Sequence, residues 1–447
     1  MKRRTLELLL LGALSCSCVF AQIDCSKEPF ASKIVCEFPI ATGVLVNQSA
    51  LGANGGGGAN SAAIVATGIN IGIATQVSQL PIASASAGTI VTIKGGVPET
   101  ISNLGPILVD RAQTIGKHRI FIGFTGSQFV FTDIDGLSLR SLPFGYVQTA
   151  FVTSGGNQIP ISNTYTQEHN NLSFKINQFT MVGTLGLTDK IDFTMIIPIE
   201  RLSLGAHTLS PSSFITNANN TVLEVAPYTP TLPNNGALAR QAVGVGDIIF
   251  NGKYRLFTGE HATLAAAMSL RAPSGDDLNL LGAGAWGYNP YLVYSYLARL
   301  SPHLKIGYQW NTNSELDNPT NKAGGEQNLP GGAQYDFGAD WAAFKRLTLD
   351  GDVLGNQYLN TPKVTVPSPL TLNLLDGTTG VPTNKMVQEQ ISSSTISNTS
   401  YTINNLSTGF KWRPAGALVF SGNVLFQLNN TGLRSRPTPL IGISYKF

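Results

Sequence analysis

The residues with most capacity for chemistry are charged and sit in one half of the chain: Asp247, Lys253, Arg255, Arg271, Lys305, Asp336, Asp340, Asp350 and Asp352. Lys253 and Arg255 are two positions apart, as are Asp350 and Asp352, while Asp336 and Asp340 are four apart, so in extended chain each set shares a face. The residues between them are oily: Phe250, Tyr254 and Leu256 alternate with Asn251, Lys253 and Arg255. Charges of both signs on a secluded face can pair with one another and fix a shape, or can line a constriction that selects a solute. Pairing is the simpler expectation, and the second stays open.

Nothing comparable points to catalysis. His118, His169, His207, His261 and His303 fall in loops or at expected strand ends without the spacing of metal ligands, and are read as interfacial or solvated. An outer-membrane lipase needs a Ser and a His near one rim, for which His169 with a nearby Ser is the one candidate. Asp276 and Asp277 in a Gly-containing loop have the chemistry of calcium ligands, but further oxygen ligands are not evident and a solvated turn explains them as well. The sequence therefore assigns no catalytic, cofactor or metal site.

The elements that must hold these residues are strands. From Val243 to Asn311 the period is two throughout, with Leu264, Ala266, Met268 and Leu270 alternating against Thr263, Ala265, Ala267, Ser269 and Arg271, and Leu304, Ile306, Tyr308 and Trp310 against Lys305, Gly307, Gln309 and Asn311. Strands are expected near 118–132, 167–187, 190–203, 246–257, 262–272, 286–298, 303–311, 333–343, 346–355, 399–413, 416–428 and 437–447. Their connections alternate between tight turns, such as Thr188-Asp189 and Phe344-Lys345, and long polar stretches, such as 133–166, 204–245 and 356–398. Short turns on one side and long loops on the other describe an outer-membrane barrel, with an apolar band, aromatic girdles and a wet lumen. The fold expected is all-β, a transmembrane antiparallel β-barrel of about 12 strands, with 14 as the alternative.

Composition agrees. Only 12% of the 447 residues are charged, against about 25% in soluble proteins. No apolar run outside the N-terminus reaches the roughly 18 residues a membrane helix requires, and a closed barrel is the other way to cross lipid. The net charge of +3 leaves no basic cluster for nucleic acid. Residues 1–21 read as a secretory signal, basic at Lys2-Arg3-Arg4 and ending in small residues at Ala21, with a poorer lipoprotein-type cut before Cys16 as the rival. Cys25 and Cys36 then remain, and in an oxidising compartment a single disulfide between them is expected. Residues 22–116, rich in small side chains, form an irregular extension or a lumen plug, with one or two helical turns conceivable over Pro106 to Ile115. Residues 117–447 form the barrel. Its last strand, with Ile441, Ile443, Tyr445 and Phe447 on one face, resembles the closing strand that serves outer-membrane proteins as an assembly signal.

Gly244-Val245-Gly246-Asp247 through Lys253-Tyr254-Arg255, then Leu270-Arg271-Ala272-Pro273-Ser274-Gly275-Asp276, Asn289-Pro290-Tyr291 and Gly307-Tyr308 resemble the bacterial outer-membrane family named for a putative MetA-pathway of phenol degradation. That family reads Pro-Thr-Gly-Asp where Ser274 stands here. The resemblance implies a barrel related to the long-chain fatty-acid and aromatic-hydrocarbon transporters, integral to the outer membrane of a Gram-negative-type bacterium, and taking up small hydrophobic compounds. The expected partners are outer-membrane lipid, the barrel assembly machinery and the solute. A structural or adhesive barrel, or a lipolytic enzyme, are the competing classes.

Overall fold

The computed structural model describes residues 33–36, 69–77, 80–81, 90–94, 97–101, 103–154, 157–217, 221–227, 237–314, 316, 327–366, 370–375, 386–391 and 394–447. The expected leader and Cys25 lie outside the described residues.

The chain closes an antiparallel barrel of twelve strands, not fourteen: β1 (Ile120–Ile134), β2 (Asn157–Gly186), β3 (Ile191–Asn217), β4 (Ile249–Thr258), β5 (Ala262–Arg271), β6 (Gly287–Tyr296), β7 (Leu300–Asn311), β8 (Gly332–Phe344), β9 (Leu347–Thr365), β10 (Thr395–Trp412), β11 (Leu418–Gln427) and β12 (Thr438–Lys446). Each pairs with the next, and β12 returns to β1 from Leu440 opposite Ser127 to Lys446 opposite Phe121. The backbone of Phe447 donates to the Ile120 carbonyl (2.8 Å), so the ring has no open edge there.

The long connections are less loop-like than their composition suggests. The stretch 133–166 contains a strand, Leu142–Ser154, that runs along β2, and the stretch 204–245 contains Ala237–Val245, which pairs with β3 above β4. β2 and β3 pass well beyond the other strands as a 30- and a 27-residue arm.

Side-chain chemistry shows where the membrane ends. Over 169–186 of β2 the even positions face inward. Near the tight turns the outward residues are Phe179, Met181 and Leu185 and the inward ones Gln178, Thr180 and Thr184; farther out the inward residues are Leu172, Phe174 and Ile176 and the outward ones Asn171, Ser173 and Lys175. β3 makes the same exchange, with Phe193, Met195 and Ile199 outward before Arg201, and Leu202 and Leu204 inward beyond it. The strand keeps its facing while its surroundings change: lipid outside gives way to water outside, so apolar groups move from the outer face to the inner.

The exposed band carries an aromatic girdle at each end. Tyr254, Phe257, Tyr296, Trp341, Phe344, Trp412, Tyr445 and Phe447 stand near the tight turns, and Trp286, Tyr288 and Trp310 near the opposite rim. Leu292 and Ile306, opposite each other in register, lie between them and are about half exposed. Such a belt on a closed barrel makes the protein integral to an outer membrane, with both barrel termini on the side of the tight turns.

The main apolar core lies inside the wall at the outer end. Ile34, Val35, Cys36 and the helix over 69–77, through Ile69, Ile73 and Val77, share a cluster with Phe129, Phe131, Phe174, Leu202, Leu354 and Leu433 of the wall. Cys36 is fully buried there.

Candidate functional site

The lumen holds a layer of charge toward the tight turns and, above it, a cavity. Asp340, Asp350 and Asp352 are all buried on adjacent strands, Asp340 directly opposite Asp350 in register. Like charges in that relation repel, so cations must be supplied. Two come from the wall: Lys411 on β10, within electrostatic reach of Asp350, and His303 on β7. A third comes from the N-terminal segment, where Arg111 reaches Asp340 Oδ2 at 3.0 Å.

His303 was expected at an interface or in solvent, and it is neither. Its side chain is 1% exposed, with Nε2 2.8 Å from Asp352 Oδ1 and Nδ1 3.3 Å from Asp340 Oδ1. Register explains how it bridges two strands: His303 on β7 faces Gly338 on β8, and Gly338 faces Asp352 on β9. A Cβ at Gly338 would run into Asp352 Oδ1 and the Gly351 carbonyl, so the missing side chain is what lets histidine and carboxylate meet across the middle strand. The expected strand began at residue 303, which put the histidine at its end. β7 begins at Leu300, and His303 shares the inward facing of Lys305 and Gln309.

The segment 103–115 threads this layer as extended chain with bends, not as the helical turns conceivable over Pro106 to Ile115. Several of its backbone groups are satisfied by the wall, and Gly105 N and Arg111 N by the segment's own Asn103 and Asp110 side chains. Leu104 N donates to Thr348 Oγ1 (3.0 Å), Ala112 N to Ser295 Oγ (3.1 Å) and Ile115 N to Asp192 Oδ2 (2.9 Å), while Lys411 Nζ donates to the Pro106 carbonyl (2.6 Å). With those partners in place a helix has no hydrogen bonds to add. Asn103 Nδ2 donates to Ser301 Oγ (3.0 Å), and its Oδ1 accepts from Arg111 (3.1 Å). Burial draws the Arg111 guanidinium below its usual range and Asp340 opposes that shift, the balance of a desolvated but paired cation.

The charges named from sequence fall into distinct groups. Lys305 pairs with Asp336 (3.1 Å), its opposite number in register, and Arg271 with Asp247 (3.5 Å), which is pairing within the wall. Lys253 and Asp340 instead take partners from the threaded segment. Lys253 Nζ donates to Asp110 Oδ1 (3.1 Å) and to the Arg111 carbonyl (2.8 Å). Arg255 is half-buried and forms no ion pair among the described residues. Asp110 and Arg111 carried no strand periodicity, and only the threaded backbone reveals them as partners. Tyr291 adds to the same anchor by donating to Asp110 Oδ2 (3.0 Å), with Lys305 Nζ 5.0 Å from its ring centroid.

Asp276 caps a short turn by accepting from Asn279 N and pairs with Lys33 at 3.1 Å, so its carboxylate serves loop and N-terminal segment together. Tyr445 and Phe447, with ring centroids 4.6 Å apart, belong to the girdle at the tight-turn end.

Above the threaded segment lies a cavity of about 280 Å³. One side is polar, with Lys253, Arg271, Lys305, Asp336 and Gln309; the other is apolar, with Phe129, Phe131, Leu354, Ile403, Leu425 and Leu433. Leu80, Pro81 and Leu108 of the N-terminal region also reach it. The sequence reading of a wet lumen missed this apolar side because these wall residues lie past the point where β-strand polarity exchanges faces.

An outer membrane channel from Pseudomonas putida F1 is similar at 10% identity, covering 75% of this chain and 98% of that one with a TM-score of 0.44. A FadL homologue from Pseudomonas aeruginosa matches at 10% identity over 74% and 90% (TM-score 0.28), and the toluene transporter TbuX from Ralstonia pickettii at 9% over 74% and 90% (TM-score 0.25). No curated protein matches. The hairpins that carry the sequence resemblance lie inside the stretch that one family matches: residues 150–359 fit the family described as Putative MetA-pathway of phenol degradation.

Proposed function

We propose that the protein is a non-enzymatic outer-membrane conduit for small hydrophobic or aromatic compounds of a Gram-negative-type cell, exported by a leader over 1–21, assembled through its Tyr445 and Phe447 closing strand and stiffened by a Cys25–Cys36 disulfide. One observation carries the reading: the lumen is neither an open aqueous pore nor packed solid, but holds a half-apolar cavity between the threaded segment and the outer core. At about 280 Å³ it stands just below the roughly 300–1,000 Å³ typical of ligand pockets. The family's description, a pathway of phenol degradation, is in keeping with an aromatic cargo.

Uptake of radiolabelled benzyl alcohol by cells limited by outer-membrane permeability tests this. Expression of the protein should raise the initial rate several-fold, and Ile403→Trp, which fills the apolar wall, should abolish the gain. Equal uptake with and without the protein overturns the conduit and leaves a structural barrel.

A further inference from the structure

Four of the lumen's cations are matched to carboxylates among the described residues. Lys253 has Asp110, Lys305 has Asp336, Arg271 has Asp247 and Arg111 has Asp340. Arg434, on the short strand Leu433–Ser435 beside β1, has none among the described residues. Its guanidinium donates to the Gln427 side chain (3.1 Å), the Asn404 carbonyl (2.8 Å) and the Asn405 side chain (3.0 Å), all neutral acceptors. The residue is 3% exposed and lines the cavity. A guanidinium taken out of water and left without a counter-charge is costly, and an anion bound there would offset that cost through charge-assisted hydrogen bonds.

The surroundings say what kind of anion. Tyr358, itself buried, lines the same cavity as Arg434 and Arg271. Arg434 lies opposite Asp133 in register without forming an ion pair with it, and the apolar residues that share its cavity include Leu433, Leu425, Phe131, Leu354 and Ile403. A fully hydrated inorganic ion would gain nothing from that apolar wall. A carboxylate attached to a ring or short chain would place its head against Arg434 and Tyr358 and its body on the apolar residues, replacing the missing counter-charge and burying apolar surface together.

Resting on the conduit reading above, we propose that the cavity binds small amphiphilic carboxylates, with Arg434 as the headgroup-binding residue and Tyr358 on the same cavity wall. The four acceptor-matched cations hold the barrel and the threaded segment, and Arg434 is the charge kept for cargo.

Calorimetry on the full-length, detergent-solubilised protein tests this with benzoate and its neutral isostere benzamide. Benzoate should bind at least tenfold more tightly than benzamide. Arg434→Gln should weaken benzoate at least tenfold and benzamide much less, so that the preference disappears, while Arg434→Lys should retain part of it. Retention of the heat-modified gel shift by each variant shows that the barrel is folded. Equal affinities for the two probes in the wild-type protein, or a parallel loss of both in Arg434→Gln, overturns the assignment. The two proposals fail separately: benzamide binding and benzyl alcohol uptake without benzoate preference defeat the anion site alone, whereas absence of uptake together with absence of binding of either probe defeats both.

Discussion

Removal of Arg111 should loosen the threaded segment without unmaking the barrel. Arg111 and Asp340 are 3% and 1% exposed and meet at 3.0 Å, so breaking the pair from one side strands a buried charge, a loss of about 3–5 kcal/mol. The lower end applies here, because His303 Nδ1 remains 3.3 Å from the other Asp340 oxygen. At 1.4 kcal/mol per tenfold, about 3 kcal/mol changes the ratio of docked to undocked segment by about a hundredfold. Arg111→Met should therefore show frequent conductance openings in planar bilayers where the native protein is nearly closed, while its gel mobility before heating still reports a folded barrel. Asp340→Asn alone should loosen the segment less, since it leaves a neutral group facing Arg111, and the double variant Arg111→Met/Asp340→Asn should be less leaky than the sum of the two. Unchanged conductance in a folded Arg111→Met barrel, or strictly additive effects, would refute the claim that this ion pair holds the segment in the lumen.

Other consequences can be measured directly. Gly338→Ala should push Asp352 off His303 and cost about 1.5–3 kcal/mol, the value of a hydrogen bond to a charged group, read as a lower midpoint of heat modification; an unchanged midpoint would mean that the bridge across β8 does not contribute. Ile306→Arg, on the lipid face between the girdles, should cost about 2–4 kcal/mol in urea titrations from lipid vesicles, whereas Ile249→Arg faces the cavity and should fold nearly as well as the parent; equal losses would contradict the assigned facing. Cysteines placed at Asn217 and Asn373, beyond the outer girdle, should label on intact cells while one at Gly259, in the β4–β5 turn, should not, and labelling at all three would break the topology.

Much of the architecture was readable because a β-barrel repeats one simple constraint. Each membrane strand alternates, each tight turn is short and polar, and the twelve expected strands correspond one to one with β1–β12. What escaped was anything that depends on height along the strand. Lys175 and Phe179 both face outward on β2, one into water and one into lipid, and a two-residue period cannot tell them apart. Leu172 and Phe174 were likewise invisible as lumen residues because the rule that reads apolar as outward fails above the membrane. The outer ends of β2 and β3 were therefore assigned to loops.

The same limit hid the functional groups. A charged residue inside a barrel is assigned to the lumen by parity, but its role depends on what stands opposite, and the opposing group can come from a segment with no period at all. Lys253 and Lys305 look alike in sequence; one holds the wall through Asp336 in the case of Lys305, and the other holds the threaded chain through Asp110. Arg434 sits on a three-residue strand in what reads as an external loop, and only the closed ring brings it into the same cavity as Tyr358 and the apolar wall. A lumen in which nearly every charge is spent on structure leaves very few groups to recognise a solute, and that scarcity is what makes an unmatched guanidinium informative.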